Sequence, residues 1–163
     1  MGWLRRLIGD SGPVIPVVRL SGVIAADNRP GRLNIATVAP LLKRAFDVKS
    51  APAVAVVVNS PGGSPVQSRL IAKRMRDLAA EHGKPVIVFI EDAAASGGYF
   101  IATGGDEIIA DPSSIVGSIG VIYAGFGFVE AIGKLGIERR VHTAGRNKST
   151  LDPFLPERPE DVE

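Results

Sequence analysis

The chain has 163 residues, 45% of them apolar and 22% charged, with a net charge of +2. This composition suits about one globular domain and excludes disorder as the default state. There is no cysteine, which excludes disulfide scaffolds, zinc–thiolate centres, iron–sulfur clusters and cysteine nucleophiles.

The net charge hides an asymmetry. Residues 1–80 carry 12 Lys/Arg against 4 Asp/Glu, and residues 81–163 carry 7 against 13. The basic residues (Arg29, Arg32, Lys43, Arg44, Lys49) are scattered, and no aromatic RNA-binding motif interleaves them. Solvated faces are expected, and no nucleic-acid partner. The start, Met1-Gly-Trp-Leu-Arg-Arg-Leu-Ile8, is too short for a signal-peptide core and lacks a small-residue cleavage site. Residues 1–13 read as a flexible extension, with at most weak peripheral membrane contact through Trp3, Leu4, Leu7 and Ile8.

In chain order, the β-branched segment Val14–Ile24 predicts a strand, followed by a loop at Asp27–Gly31. Apolar residues Val38, Leu41, Leu42, Ala45 and Phe46 have helical spacing; Pro40 suits a first turn, which places the helix start near Thr37. The apolar run Ala53–Val58 suits a strand buried on both faces of a parallel sheet. Ser64 and Pro65 form an N-cap and first helical residue. The helix that follows carries Val66, Leu70, Ile71, Met75, Leu78 and Ala79 on one face and ends at Gly83.

Pro85–Ile90 is a second buried strand, and Ala93–Gly98 a small-residue turn into another helix. Glu107–Ala110, Ile115–Tyr123 and Ile137–Thr143 read as strands, and Phe128–Leu135 as a short helix. The stretch Ser113–Phe128 holds four glycines and no leucine, so it reads as strands and turns rather than a membrane span. Strand, helix and strand alternate, which predicts an α/β fold with a mostly parallel sheet and crossover helices.

In such sheets chemistry sits beyond the carboxyl ends of the strands. Two glycine-rich turns occupy that position, Ser60–Ser64 and Ser96–Gly98. Each is open to a structural reading, as an ordinary turn or a helix cap, and to an anion-binding one. The phosphate-binding and dinucleotide-binding glycine patterns are both absent; the other candidate ligand is the oxyanion of acyl transfer, with Ser96 as nucleophile, and a plain helix N-cap is the structural alternative for that serine.

A serine nucleophile needs a base. His82 sits at a helix end beside Gly83, and His142 lies in or beside the expected last strand; the Gly-x-Ser-x-Gly pattern is missing. A neutral lysine is the other option, since burial lowers its ordinary pKa of about 10.4. Lys148 follows that strand, with Arg146 near it. On these residues alone it is either a surface-loop lysine or the base.

Four segments together resemble one family. They are Asn59-Ser-Pro-Gly-Gly63, Ala94-Ala-Ser-Gly-Gly-Tyr-Phe-Ile101, Ala110-Asp-Pro-Ser-Ser-Ile-Val-Gly-Ser-Ile-Gly-Val121, and Gly145-Arg-Asn-Lys-Ser149 with Asp152-Pro-Phe154. In order and separation they resemble serine peptidase family S49, the signal peptide peptidase A or protease IV type, similar in fold to the caseinolytic protease and crotonase superfamily. Val18–Ile24 also fits, and the resemblance covers roughly residues 14–154.

The resemblance implies Ser96 as nucleophile, Lys148 as general base, the amides of Gly63 and Gly97 as oxyanion hole, and Ser118 as support for the lysine. It implies a peptide or protein substrate, including remnant signal peptides or membrane-protein fragments, and no metal or cofactor. A homo-oligomer is expected, in which the dyad can be completed across protomers, located in the cytoplasm or peripheral to the inner membrane. Relatives continue well past the lysine loop, so residues 14–163 are expected to be a peptidase domain cut short at its C-terminus. Two other classes fit the same scaffold: a catalytically inactive assembly or binding module, and a crotonase-type acyl-thioester enzyme.

Overall fold

The computed structural model describes residues 13–145 and 148–162, which fall into two compact units, one up to Gly120 and one from Val121. Trp3, Leu4, Leu7, Ile8 and Arg146 lie outside the described residues.

The first unit is an α/β layer. Its elements are β1 (Val17–Ser21), β2 (Val23–Ile24), β3 (Arg32–Leu33), α1 (Ile35–Phe46), β4 (Val54–Ser60) and α2 (Pro65–His82). They continue with β5 (Val86–Ala95), α3 (Gly97–Ala102), β6 (Glu107–Ala110) and β7 (Ile115–Gly117). The sheet runs in the order β1-β4-β5-β6, every pairing parallel. β5 is long enough to pair with β6 along Ile87–Ile90 and then with β7 along Ala93–Ala95. This extension carries β5 past the end of β6 to Ser96.

The alternation of the strands decides which face takes the helices. Val18, Val56 and Val88 share one row, and Leu20, Val58 and Ile90 the next. These side chains form one core with Val38, Leu42 and Phe46 of α1, Ile71, Met75 and Leu78 of α2, and Ile101 of α3. The expected burial on both faces holds for most of the Ala53–Val58 run, where Ala53 and Ala55 on the opposite face are buried as well, but not for its neighbours. On the other side Val57 is half-buried, and Val17 and Phe89 are 59% and 37% exposed.

Four helix ends show how their caps are made. Ser64 Oγ caps α2, Pro65 opens it, and Gly83 closes it at φ 61°. Helix α1 begins earlier than expected, at Ile35, with Pro40 inside it. The reason is its cap: Asn34 Oδ1 accepts from the Thr37 amide at 3.0 Å, Thr37 Oγ1 accepts from the Asn34 amide at 3.4 Å, and Gln67 Oε1 accepts from the Ile35 amide at 2.9 Å. A cap of this kind is worth about 1 kcal/mol, which offsets part of the hydrogen bond that Pro40 cannot make. Lys84 Nζ donates to the carbonyls of Phe46 and Val48 at 2.7 and 2.6 Å, closing the far end of α1.

The buried stripe of α2 also differs from the sequence reading. Val66 and Leu70 are exposed, and Ser68 is buried with Ile71, Ala72, Met75, Leu78 and Ala79. The Val14–Ile24 strand is interrupted at Gly22, where a side chain would meet the Gly31 carbonyl oxygen at 2.2 Å.

The second unit contains α4 (Val129–Lys134) and a 3-10 turn at Pro159–Asp161. Phe128 stacks on Phe154 with ring centroids 5.5 Å apart, and the Phe128 amide donates to the Pro153 carbonyl. Residues 137–143 form no strand, contrary to expectation, and the strand expected over Ile115–Tyr123 ends at Gly117. Both segments are apolar enough for strands, but extended chain becomes a strand only where a neighbour pairs with it. Among the described residues, no helix is long and apolar enough to cross a membrane.

Candidate active site

The end of β5 is the focus. Ser96 stands between β5 and α3 with φ 52° and ψ −118°. A non-glycine residue held there costs about 1–3 kcal/mol and persists only where the surroundings enforce it. The enforcing contacts are close. The Ser96 amide donates to the Gly117 carbonyl at 2.7 Å, and the Ser96 carbonyl accepts from the Phe100 amide at 2.9 Å. Ser96 occupies the N-cap position of α3, yet its hydroxyl makes no capping hydrogen bond. The structural reading of this serine as a side-chain cap therefore fails.

A strand that turns sharply into a helix at a serine needs small residues two positions to either side. Ala94, fully buried, and Gly98 fill those positions. A side chain on Gly98 would meet the Ser60 carbonyl oxygen at 2.6 Å. The arrangement is an elbow without the usual first glycine, so the missing Gly-x-Ser-x-Gly pattern did not reveal it.

The second glycine turn packs against the first. A Cβ on Gly62 would lie 2.7 Å from the Ala95 carbonyl oxygen, 2.9 Å from Ser96 Cβ and 3.0 Å from the Gly97 nitrogen. Ser60, fully buried, holds this turn by accepting from the Gly62 amide at 3.2 Å. The bridge between Gly63 and Ile24 uses the amides of Ile24 and Ser64, each at 2.8 Å, and not that of Gly63. Gly97 is the first residue of α3, whose N–H has no carbonyl one turn back. Two amides left over from secondary structure thus flank the Ser96 elbow.

Ser68 was missed by the sequence reading. It is buried, its hydroxyl donates to the Ser64 carbonyl at 2.8 Å, and a Cβ on Gly97 would meet its Oγ at 2.3 Å. Only its break in the apolar stripe of α2 could have signalled it.

Ser118 follows β7 directly, is exposed, and has φ 57°. Lys148 belongs to the second unit and is exposed in a turn after Gly145. Four residues on, Asp152 shapes that loop. Its Oδ1 accepts from the Phe154 amide at 3.0 Å and its Oδ2 from Arg139 Nη2 at 2.9 Å. The amide and the guanidinium together hold its carboxyl below the usual carboxylate range. His82 lies against Phe46 with its ring tilted 42° and the centroids 5.8 Å apart, which suits its structural reading; His142 is exposed, outside any strand.

A family model described as peptidase family S49 matches residues 79–162. A Brucella melitensis protein named Na(+)/H(+) antiporter NhaA is 65% identical over 151 residues, covering 91% of this chain and 20% of that protein. Protease 4 of Haemophilus influenzae is 42% identical over 125 residues, covering 76% of this chain and 20% of the relative. The chain thus spans about a fifth of the length of these relatives. Among solved structures, a point mutant of the 1510-N membrane-bound stomatin-specific protease aligns with a TM-score of 0.52 at 21% identity. The match covers 70% of this chain and 51% of that one, a likeness of fold.

Proposed function

The chain belongs to peptidase family S49, and from that premise we propose that it forms part of a serine endopeptidase working through Ser96 and Lys148. The observation that carries the reading is the Ser96 elbow: a strained serine whose hydroxyl caps nothing, next to the unused amides of Gly63 and Gly97.

In this reading neutral Lys148 takes the Ser96 proton as Oγ attacks the scissile carbonyl. Negative charge develops on the carbonyl oxygen and is received by the Gly63 and Gly97 amides. The lysine then gives its proton to the leaving amine, and water enters by the reverse route to release the acyl group. Ser118 orients the lysine. A neutral lysine requires desolvation, and Lys148 is exposed in the single chain. The missing cover is assigned to a second protomer in a homo-oligomer.

Peptides or proteins are the proposed substrates, with remnant signal peptides, membrane-protein fragments and cytosolic peptides as the candidate classes, in the cytoplasm or at the periphery of the inner membrane. The name of the Brucella relative belongs to a whole protein of which four fifths lies outside the match, and antiport is not carried over.

The test is labelling of the intact assembly with a fluorophosphonate probe, followed by peptide mapping. The adduct is expected on Ser96 and is expected to vanish in Ser96→Ala. A fully assembled protein that hydrolyses no peptide and takes no label would favour an inactive scaffold.

A further inference from the structure

We infer that Asn59 is a positioning residue, whose side-chain amide sets the path of β5 into Ser96. This rests on Ser96 being the nucleophile.

The observation is a slip in register. Val58 pairs with Ile90, but Ser60 pairs with Ala94, so β5 spends two more residues than β4 over the same span. Glu91, Asp92 and Ala93 stand opposite Asn59 alone. Such a bulge breaks the ladder and leaves backbone groups without their regular partners. Asn59 replaces them with its side chain. Its Oδ1 accepts from the Ala93 amide at 3.2 Å, and its Nδ2 donates to Asp92 Oδ2 at 2.7 Å. Its own main chain stays fixed, because its carbonyl accepts from the Gly22 amide at 3.0 Å. Ser114 Oγ holds the same bulge from the other flank, donating to the Glu91 carbonyl at 2.6 Å.

The bulge ends three residues before Ser96. From Ala94 onward the chain is gripped between Ser60 on β4 and β7, and then enters the strained elbow. An unpinned bulge can shift by one residue and relax that strain, so Asn59 controls where Ser96 Oγ points. Aspartate in its place keeps an acceptor for Ala93 but sets two carboxylates against each other. Converting Asp92 to asparagine as well restores the match, since the new amide donates back to the new carboxylate.

The experiment measures kcat and KM for peptide hydrolysis by the intact protein, with thermal unfolding of each variant and Ser96→Ala as the inactive reference. Asn59→Asp is expected to lower kcat by about 10²-fold, the usual scale for a misplacement near 1 Å, with KM little changed. Asn59→Asp/Asp92→Asn is expected to regain most of it. Wild-type kcat in the single variant, a loss that merely tracks unfolded protein, or a well-folded double variant without recovery would each overturn the inference. A crystal structure of Asn59→Ala reads the same point without activity. Ser96 is expected to leave its φ of 52°, and an unchanged φ overturns the inference. If the wild type and Ser96→Ala hydrolyse peptide equally, the peptidase reading fails instead, and the crystal structure still decides the role of Asn59.

Discussion

The backbone amide of Ser96 donates to the carbonyl of Gly117 over 2.7 Å, and the next residue along from Gly117 is Ser118. The proposed nucleophile and the proposed support of its base therefore hang from one short strand, β7. Both serines have positive φ, 52° and 57°. Leu151, at φ 53°, is the other non-glycine residue with positive φ among those described, so two of the three such backbones belong to the serines of the proposed chemistry, and glycine, which tolerates such angles at no steric cost, stands at neither serine position.

This separates backbone from hydroxyl at Ser118. Ser118→Gly relieves the strained φ and removes only the side chain. Stability is expected to stay within about 1 kcal/mol of wild type, the strain relieved being set against the added freedom of the unfolded chain. Peptide hydrolysis by the assembled protein is expected to fall if Ser118 has its proposed role toward the lysine. Full activity in this variant would remove Ser118 from the mechanism.

Gly97 carries a more specific prediction. A methyl group there would meet Ser68 Oγ at 2.3 Å, and Ile24 Cδ1 and Ser68 Cβ only at 3.2 and 3.3 Å. Gly97→Ala is expected to displace the Gly97 amide and cost about 10²–10³ in kcat, as for loss of one oxyanion donor. Removing the hydroxyl with Ser68→Ala in the same chain leaves two contacts that small side-chain shifts can absorb, and part of the rate is expected to return. Paired kcat measurements on the two variants check this, and equal rates in both would mean that Ser68 is not the obstruction.

The assignment of the base is tested by two alanine variants. Lys148→Ala is expected to abolish hydrolysis, and His142→Ala to leave it near wild type, since His142 is exposed and outside any strand. The reverse result, an active lysine variant beside a dead histidine one, would make the dyad assignment wrong. Steady-state hydrolysis and fluorophosphonate labelling on the same preparations separate loss of the base from loss of the nucleophile.

How much of this was legible in the residues follows from the range of each interaction. Ser64, Pro65 and Gly83 act on their own helix, and the boundaries of α2 could be read directly. Pro40 misplaced the start of α1 because the stronger cap at Asn34 draws on Gln67, 32 residues away in the chain from Ile35. Residues 137–143 have strand composition but no strand partner, and composition cannot supply one. At the site, Ser96, Gly63 and Gly97 stood out through their glycine-rich turns. Asn59, Ser60 and Ser68 did not, because they act across strands or between a helix and a loop. The one local sign of Ser68 is that a polar residue interrupts the buried stripe of α2.

Acid stability offers a check on the far end of the sheet. Asp106 Oδ2 accepts from the Val86 amide at 2.7 Å and its Oδ1 from Arg76 Nη1 at 2.8 Å, so one carboxylate ties the start of β5 to α2. The Val86 amide first, and the Arg76 guanidinium after it, hold this carboxyl below its ordinary value. A carboxyl whose folded pKa is lowered adds stability that is fully present above its unfolded pKa of about 3.9, and loses it as the pH falls through the folded value. Asp106→Asn keeps an acceptor for Val86 but removes the charge that Arg76 faces. Because the pair is largely solvated, the variant is expected to lose no more than about 1 kcal/mol at pH 7. The measurement is the urea midpoint of both proteins between neutral and acid pH. Their difference is expected to shrink as the pH drops below about 3.9 and to close once it has passed the lower folded value, where the wild-type carboxyl of the folded protein gains its proton and the charge difference between the two side chains is gone. A gap of constant size across that range would mean that shape or hydrogen bonding at position 106, and not charge, is what the fold uses.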